Sequence, residues 1–156
     1  MADNSLAIQW SCLPFSELGN DLLYSILKLR QEVFIVEQQC IYADLDDLDQ
    51  PAWHLLVQRG DRLLGYLRSL PPGTSYEQSS LGRIAVSPEA RGLKLGREIV
   101  QRGIDFNLER WPESGIKIGA QEYLEKFYHS LGFVTASDVY DEDGIPHIKM
   151  VMERSS

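Results

Sequence analysis

Apolar and polar positions change period along this chain, and the changes mark out its elements. Leu6, Ile8 and Trp10 alternate with Ala7, Gln9 and Ser11, which predicts a strand that Pro14 ends. Gly19, Asn20 and Asp21 then offer a helix start, and the period lengthens. From Leu22 to about Glu37, Leu22, Ile26, Leu29 and Val33 share one face, with Leu23, Leu27 and Phe34 beside it. Residues 39–52 read as a loop. Two strands follow, Trp53 to Arg59 and Arg62 to Leu70, joined by the two-residue turn Gly60-Asp61. Pro71-Pro72-Gly73 opens a second loop, and a strand over Leu81–Val86 is broken by Ser87-Pro88. A long helix is expected from about Gly92 to Arg110, with Ile99, Gly103 and Phe106 beside Val100, Ile104 and Leu108 as its apolar stripe. The short apolar run Ile116–Ala120 predicts a buried strand. Gln121 to Leu131 predicts a helix closed by Gly132. Phe133–Tyr140 and Ile145–Glu153 predict two final strands.

The resulting order, β-α-β-β-β-α-β-α-β-β without repeat or linker, fits one α+β domain over residues 1–156. Disorder is expected at the ends alone, residues 1–5 and 155–156.

Composition narrows the function classes. The formal net charge is −8, which argues against nucleic acid as a partner, since a phosphate backbone is held by clustered Lys and Arg. Arg91, Lys94, Arg97 and Arg102 are too scattered for such a stripe but suffice for a small polyanion. Cys12 and Cys40 form no CxxC and fit no zinc spacing, so they read as reduced thiols of a cytoplasmic protein. No apolar run follows a basic start, so neither a signal peptide nor membrane association is expected.

The stretch Leu81–Gly96, LGRIAVSPEARGLKLG, carries the most chemistry. A strand breaks at Ser87-Pro88 and enters a helix near Arg91-Gly92, where unpaired N–H groups and the helix dipole favour an anion. The residues alone leave open an ordinary strand-turn-helix with a glycine-relaxed start.

At this junction the sequence resembles the GNAT superfamily of N-acetyltransferases, whose R/Q-x-x-G-x-G/A motif reads here Arg91-Gly92-Leu93-Lys94-Leu95-Gly96. Arg91 and Gly96 match, and Lys94 stands where the pattern has glycine. Phe127-Tyr128-His129-Ser130-Leu131-Gly132-Phe133 is similar to the FYxxxGF signature of the same superfamily. Leu29 to Gln38, Tyr42 to Asp49, Gly119 to Gln121 and Glu142 to His147 resemble elements of its ElaA-like branch.

The resemblance implies a mixed central sheet of about seven strands with helices on both faces, and acetyl-CoA as co-substrate. It implies that Arg91, Gly92, Leu93, Lys94, Leu95, Gly96 and Arg97 take the pyrophosphate. Ile84, Ala85 and Val86 would pair with pantetheine as an added strand does, with Gln121 and Phe127 close by. Tyr128 would be the general acid that protonates the departing thiolate; from the residues alone it reads rather as a core aromatic on a helical stripe. Glu37, His147, Glu142 and His54 are candidates for the base, each with a plain structural alternative, and a water chain would serve as well. The implied acceptor is a small amine, and a homodimer is compatible with a free sheet edge.

Two other readings stay open: a domain that senses CoA thioesters without turnover, and an acyl-homoserine-lactone synthase, which Arg30-x-x-Val33-Phe34 faintly resembles. Asp44, Asp46, Asp47 and Asp49 make an acidic loop that would either line a cationic acceptor site or be solvated. It lacks the glycine and terminal glutamate of a calcium loop, so no metal is expected. Arg59-Gly60-Asp61 is explained by turn chemistry.

Overall fold

The structure, a computed structural model, describes residues 6–154, so the expectation of disordered ends lies outside the described residues. Strands β1 (Ile8–Pro14), β2 (Trp53–Arg59), β3 (Arg62–Leu70) and β4 (Ser80–Val86) form an antiparallel sheet in chain order. Strands β5 (Ile116–Gln121), β6 (Val134–Thr135), β7 (Tyr140–Glu142) and β8 (Ile145–Met152) form a second, in which β8 pairs antiparallel with the other three. The halves meet between β4 and β5, where a parallel bridge joins Ser79 to Ile116 and the Lys117 N–H donates to the Ser79 carbonyl at 2.9 Å. The expected mixed sheet is therefore eight strands in two antiparallel halves, with its parallel contact confined to one end.

Helices α1 (Asn20–Arg30) and α2 (Leu95–Arg110) cover opposite faces of the first sheet, and α3 (Glu125–Ser130) packs beside the second. Alternation along β2 sends Leu55 and Val57 into the core under α2 and Leu56 into the core under α1. Ile99 and Val100 are fully buried, and each such side chain contributes about 1.5–3 kcal/mol of transfer free energy. At Gly103 a Cβ would come within 2.8 Å of a Leu67 methyl, so glycine is what lets α2 settle on β3.

Four expected elements differ in detail. Of the helix expected over Gln121–Leu131, Gln121 belongs to β5, Glu122–Leu124 is a 3₁₀ turn and only Glu125–Ser130 is α-helical. The first helix reaches Glu37 as expected, but Gln31–Glu37 is wound as a π-helix, and the Gln38 N–H bonds the Val33 carbonyl. The long helix begins at Leu95 rather than Gly92, because Pro88–Leu93 is 3₁₀ and Lys94 breaks the path at φ 55°, ψ 42°. The strand expected over Phe133–Tyr140 divides into β6 and β7, since the Ser137 hydroxyl accepts the Lys149 N–H at 2.9 Å and displaces a ladder bond. Asp143 (φ 52°) and Gly144 (φ 83°) make the tight turn between β7 and β8. No helix among the described residues is long and apolar enough to cross a membrane, and Cys12 and Cys40 are free thiols.

Candidate active site

Where β4 and β5 part, they leave a cleft of about 850 Å³. Ile84, Ala85 and Val86 line one wall, and Ile118 to Gln121 line the other. The π-helical turn adds Val33, Phe34 and Glu37, and the β7–β8 turn adds Glu142, Asp143 and His147. Arg91, Gly96, Phe127 and Tyr128 complete it, so much of the sequence-derived site converges on one space.

The start of α2 lies at this cleft. The helix is 16 residues long and has no side-chain cap, so its first N–H groups remain available to a ligand. Gly96 and Gly92 have negative φ, and a Cβ at either would meet nothing within 4 Å, which leaves open space before the backbone. Lys94, which stands where the motif pattern has glycine, takes a left-handed conformation that glycine adopts without steric cost. Two side chains expected at the phosphates point elsewhere. Leu95 is buried in the core, leaving its backbone for a ligand, and the Arg97 guanidinium donates to the Ser130 hydroxyl at 2.9 Å. Leu93 is exposed on the 3₁₀ turn and does not line the cleft.

Tyr128 is 7% exposed and packs edge-on against both Phe127 and Phe133. Burial pushes its phenol up to about 12, with the Tyr123 charge adding to the rise, so the proton is held throughout the neutral range. The Nδ1–H of His147 donates to the Ile145 carbonyl at 2.8 Å, which turns Nε2 toward Glu142 Oε2 at 3.2 Å. Gln121 stands opposite His147 in the β5–β8 register.

Glu37 is held differently. Arg91 donates two hydrogen bonds to its carboxylate, at 2.8 and 2.6 Å, and these keep the carboxyl below its usual range. His54, a further candidate base, is fully buried away from the cleft. Its Nε2 donates to the Asp49 carbonyl at 2.9 Å and its Nδ1 accepts from the Tyr66 hydroxyl at 2.6 Å; desolvation lowers its pKa, so it is a satisfied core histidine.

The acidic loop is neither solvated nor free to hold a cation with all its charges. Asp44, Asp46 and Asp49 alternate with Arg30, Arg68 and Arg83 in a closed ring of six ion pairs. Arg30 meets Asp44 and Asp49 at 3.0 and 2.7 Å. Arg68 meets Asp49 and Asp46 at 2.9 and 2.8 Å. Arg83 meets Asp46 and Asp44 at 3.2 and 2.8 Å. Arg30, Asp44, Asp49 and Arg68 are buried, while Asp46 and Arg83 face the cleft. Sequence reasoning missed Arg83, Tyr42 and Cys40 as cleft residues. No local signal in the sequence marked the ring, because its three arginines lie on three separate elements and meet the loop aspartates only once the loop is folded back. No group of three or more His, Cys, Asp or Glu among the described residues could hold a metal ion.

Residues 18–154 match the family model described as "Acetyltransferase (GNAT) domain". The chain is 40% identical to Protein ElaA of Escherichia coli over 148 residues, covering 94% of this chain and 97% of that protein. The crystal structure of Escherichia coli ElaA superposes with a TM-score of 0.85 at 39% identity, covering 93% of this chain and 99% of that one. An acyl-CoA N-acyltransferase from Pseudomonas aeruginosa superposes at 0.89 and 38% identity, covering 94% and 99%. The AHL synthase LasI, 15% identical with a TM-score of 0.76 and coverages of 95% and 91%, shares the fold alone.

Proposed function

We propose, from the premise that the chain belongs to the GNAT acetyltransferase domain family, that this acyltransferase moves an acetyl group from acetyl-CoA to the amine of a small acceptor in the cytoplasm. The observation that carries the reading is the cleft between β4 and β5, with the uncapped start of α2 at its edge and the buried, protonated Tyr128 in its wall.

The N–H groups that open α2, with the Arg91 guanidinium and the Lys94 ammonium, hold the pyrophosphate. Backbone of Ile84–Val86 aligns the pantetheine arm and hydrogen-bonds the thioester oxygen as negative charge develops there. His147, oriented by the Ile145 carbonyl and faced by Glu142, takes the proton from the acceptor's ammonium. The amine lone pair then forms the new C–N bond to the acyl carbon, the nitrogen gives up its second proton to solvent, and the C–S bond breaks. Tyr128 gives its phenol proton to the departing sulfur and recovers it from solvent. Glu37 serves as base only when Arg91 has left it, because the ion pair makes it a weak proton acceptor.

The test is release of free thiol from acetyl-CoA across a panel of amines. Amine-dependent release supports transfer and identifies an acceptor class. Calorimetric binding of acetyl-CoA with no release under any amine would replace this reading with a CoA-sensing domain.

A further inference from the structure

We infer that Arg83 is a positioning residue: the ion-pair ring on the loop between α1 and β2 holds, through Arg83, the irregular turn of β4 that sets the backbone of the acyl-transfer site. The inference rests on the acyl-transfer reading above and deepens it.

Tyr66 pairs with Ala85 and Arg68 with Gly82, so two residues of β4, Arg83 and Ile84, stand opposite the single residue Leu67. This is a β-bulge. Side-chain direction agrees. Leu81, Ile84 and Val86 all pack on the core under α2, and an odd and two even positions share one face only when a residue is inserted between them. Ala85 is thereby turned to the core under α1.

The inserted residue is not glycine. Arg83 sits at φ 51°, a left-handed conformation that costs an L side chain roughly 1–2 kcal/mol. A bulge with that backbone usually uses glycine, so something must hold Arg83 there. The ring does. The Arg83 guanidinium lies 2.8 Å from the Asp44 carboxylate as an ion pair, donates to the Asp46 carboxylate at 3.2 Å and to the Asp44 carbonyl at 3.1 Å, and lies 5.3 Å from the Tyr42 ring centre. Asp44 and Asp46 are fixed in turn by Arg30 and Arg68, both nearly inaccessible. An electrically neutral frame, buried at Arg30, Asp44, Asp49 and Arg68, thus reaches the cleft surface at Asp46 and Arg83, and Arg83 is the bulge residue. Ile84 and Ala85, next along β4, supply the cleft wall that aligns the acyl group.

The test compares wild type with Arg83→Ala, Arg83→Gly, Arg83→Lys and Asp46→Asn. Two measurements are made: hydrogen exchange of the peptide spanning residues 80–87, and kcat with CoA affinity. Glycine removes the tether and relieves the strain, which separates the two effects. The inference expects faster exchange over 80–87 in the alanine, glycine and Asp46→Asn variants. It also expects kcat to fall by roughly 100-fold in the alanine and glycine variants, as for a misplacement of about 1 Å, while CoA affinity holds. Arg83→Lys, which keeps one of the contacts, should lie between. Wild-type exchange in the variants, or faster exchange with wild-type kcat, overturns the inference. A wild-type protein without turnover would instead count against the acyl-transfer reading, and the exchange arm would still decide whether the ring holds the bulge.

Discussion

The Arg91 guanidinium and the Glu37 carboxylate join the 3₁₀ turn before α2 to the end of the π-helical segment through two parallel hydrogen bonds. Both side chains line the same cleft, and both were expected to act on other partners, Arg91 on a pyrophosphate and Glu37 on an ammonium. On the proposed reading, a carboxylate and a phosphate would compete for one guanidinium.

That competition gives the first prediction. Glu37→Gln should tighten CoA binding about threefold, and Arg91→Gln should weaken it about tenfold, the scale of one charge-assisted hydrogen bond. Isothermal titration with CoA measures both. A fall in kcat for Glu37→Gln with unchanged CoA affinity would instead make Glu37 the base.

Tyr128→Phe should lower kcat about 100-fold, within the range for loss of a general acid, while CoA affinity changes little. Because burial raises the phenol to about 12, activity should show no loss from Tyr128 ionisation below about pH 11. Equal turnover by the phenylalanine variant would remove Tyr128 from the mechanism.

The same raised pKa bears on stability. A group held protonated by the fold stabilises it fully below the unfolded pKa and ceases to do so as pH rises through the folded one. For Tyr128 the window runs from about 10 to about 12. For the Cys12 thiol, raised by burial despite the opposing Arg110 charge, it runs from about 9 to about 12. The melting temperature should therefore fall across this alkaline range. Cys12→Ser should shallow the part of that fall below pH 10.

The sequence made the two ends of the cleft legible because each depends on local signals. The strand-turn-helix at 81–96 and the aromatic pair at 127–128 each lie within one short stretch of chain, where period marks the elements and the resemblance to family motifs marks them as a site. What lay beyond sequence depends on residues far apart. Arg30, Arg68 and Arg83 come from a helix and two strands, and only the folded loop brings Asp44, Asp46 and Asp49 among them. His54 looked like a base because the type is reactive, whereas tertiary contacts occupy both its nitrogens. The bulge in β4 hides for a related reason: Leu81 to Val86 reads as a plain apolar run, and the parity change between Leu81 and Ile84 is invisible without the neighbouring strand.

Lys94→Gly should raise stability by about 1 kcal/mol, since glycine takes φ 55° without the steric cost a Cβ carries there. CoA affinity should fall modestly at low salt, because the ammonium near the phosphates is lost. Thermal melting and a salt series of CoA titrations check the two effects separately. A destabilised glycine variant would mean that the lysine side chain, and not strain, governs the turn.

The acid limb of stability tests the ring itself. Burial works to raise Asp46, but hydrogen bonds and charge from Arg68, the Leu48 N–H and the Arg83 charge outweigh it and bring its pKa to about 2. Asp49 is lowered as well, against its own burial, by Arg30 and Arg68. A carboxylate depressed in the folded state stabilises it above its unfolded pKa, near 3.8, and loses that contribution as pH falls through the folded value. Asp46 therefore stabilises the fold at neutral pH, and most of that contribution is lost between about pH 4 and pH 2. Denaturant melts from pH 7 down to pH 2 should show a steep loss in the wild type. Asp46→Asn should start lower and lose less over that interval, because the group that titrates is gone. Parallel wild-type and variant curves would mean that Asp46 is no more stabilised by its arginines than an exposed carboxylate, and that the ring does not hold the loop.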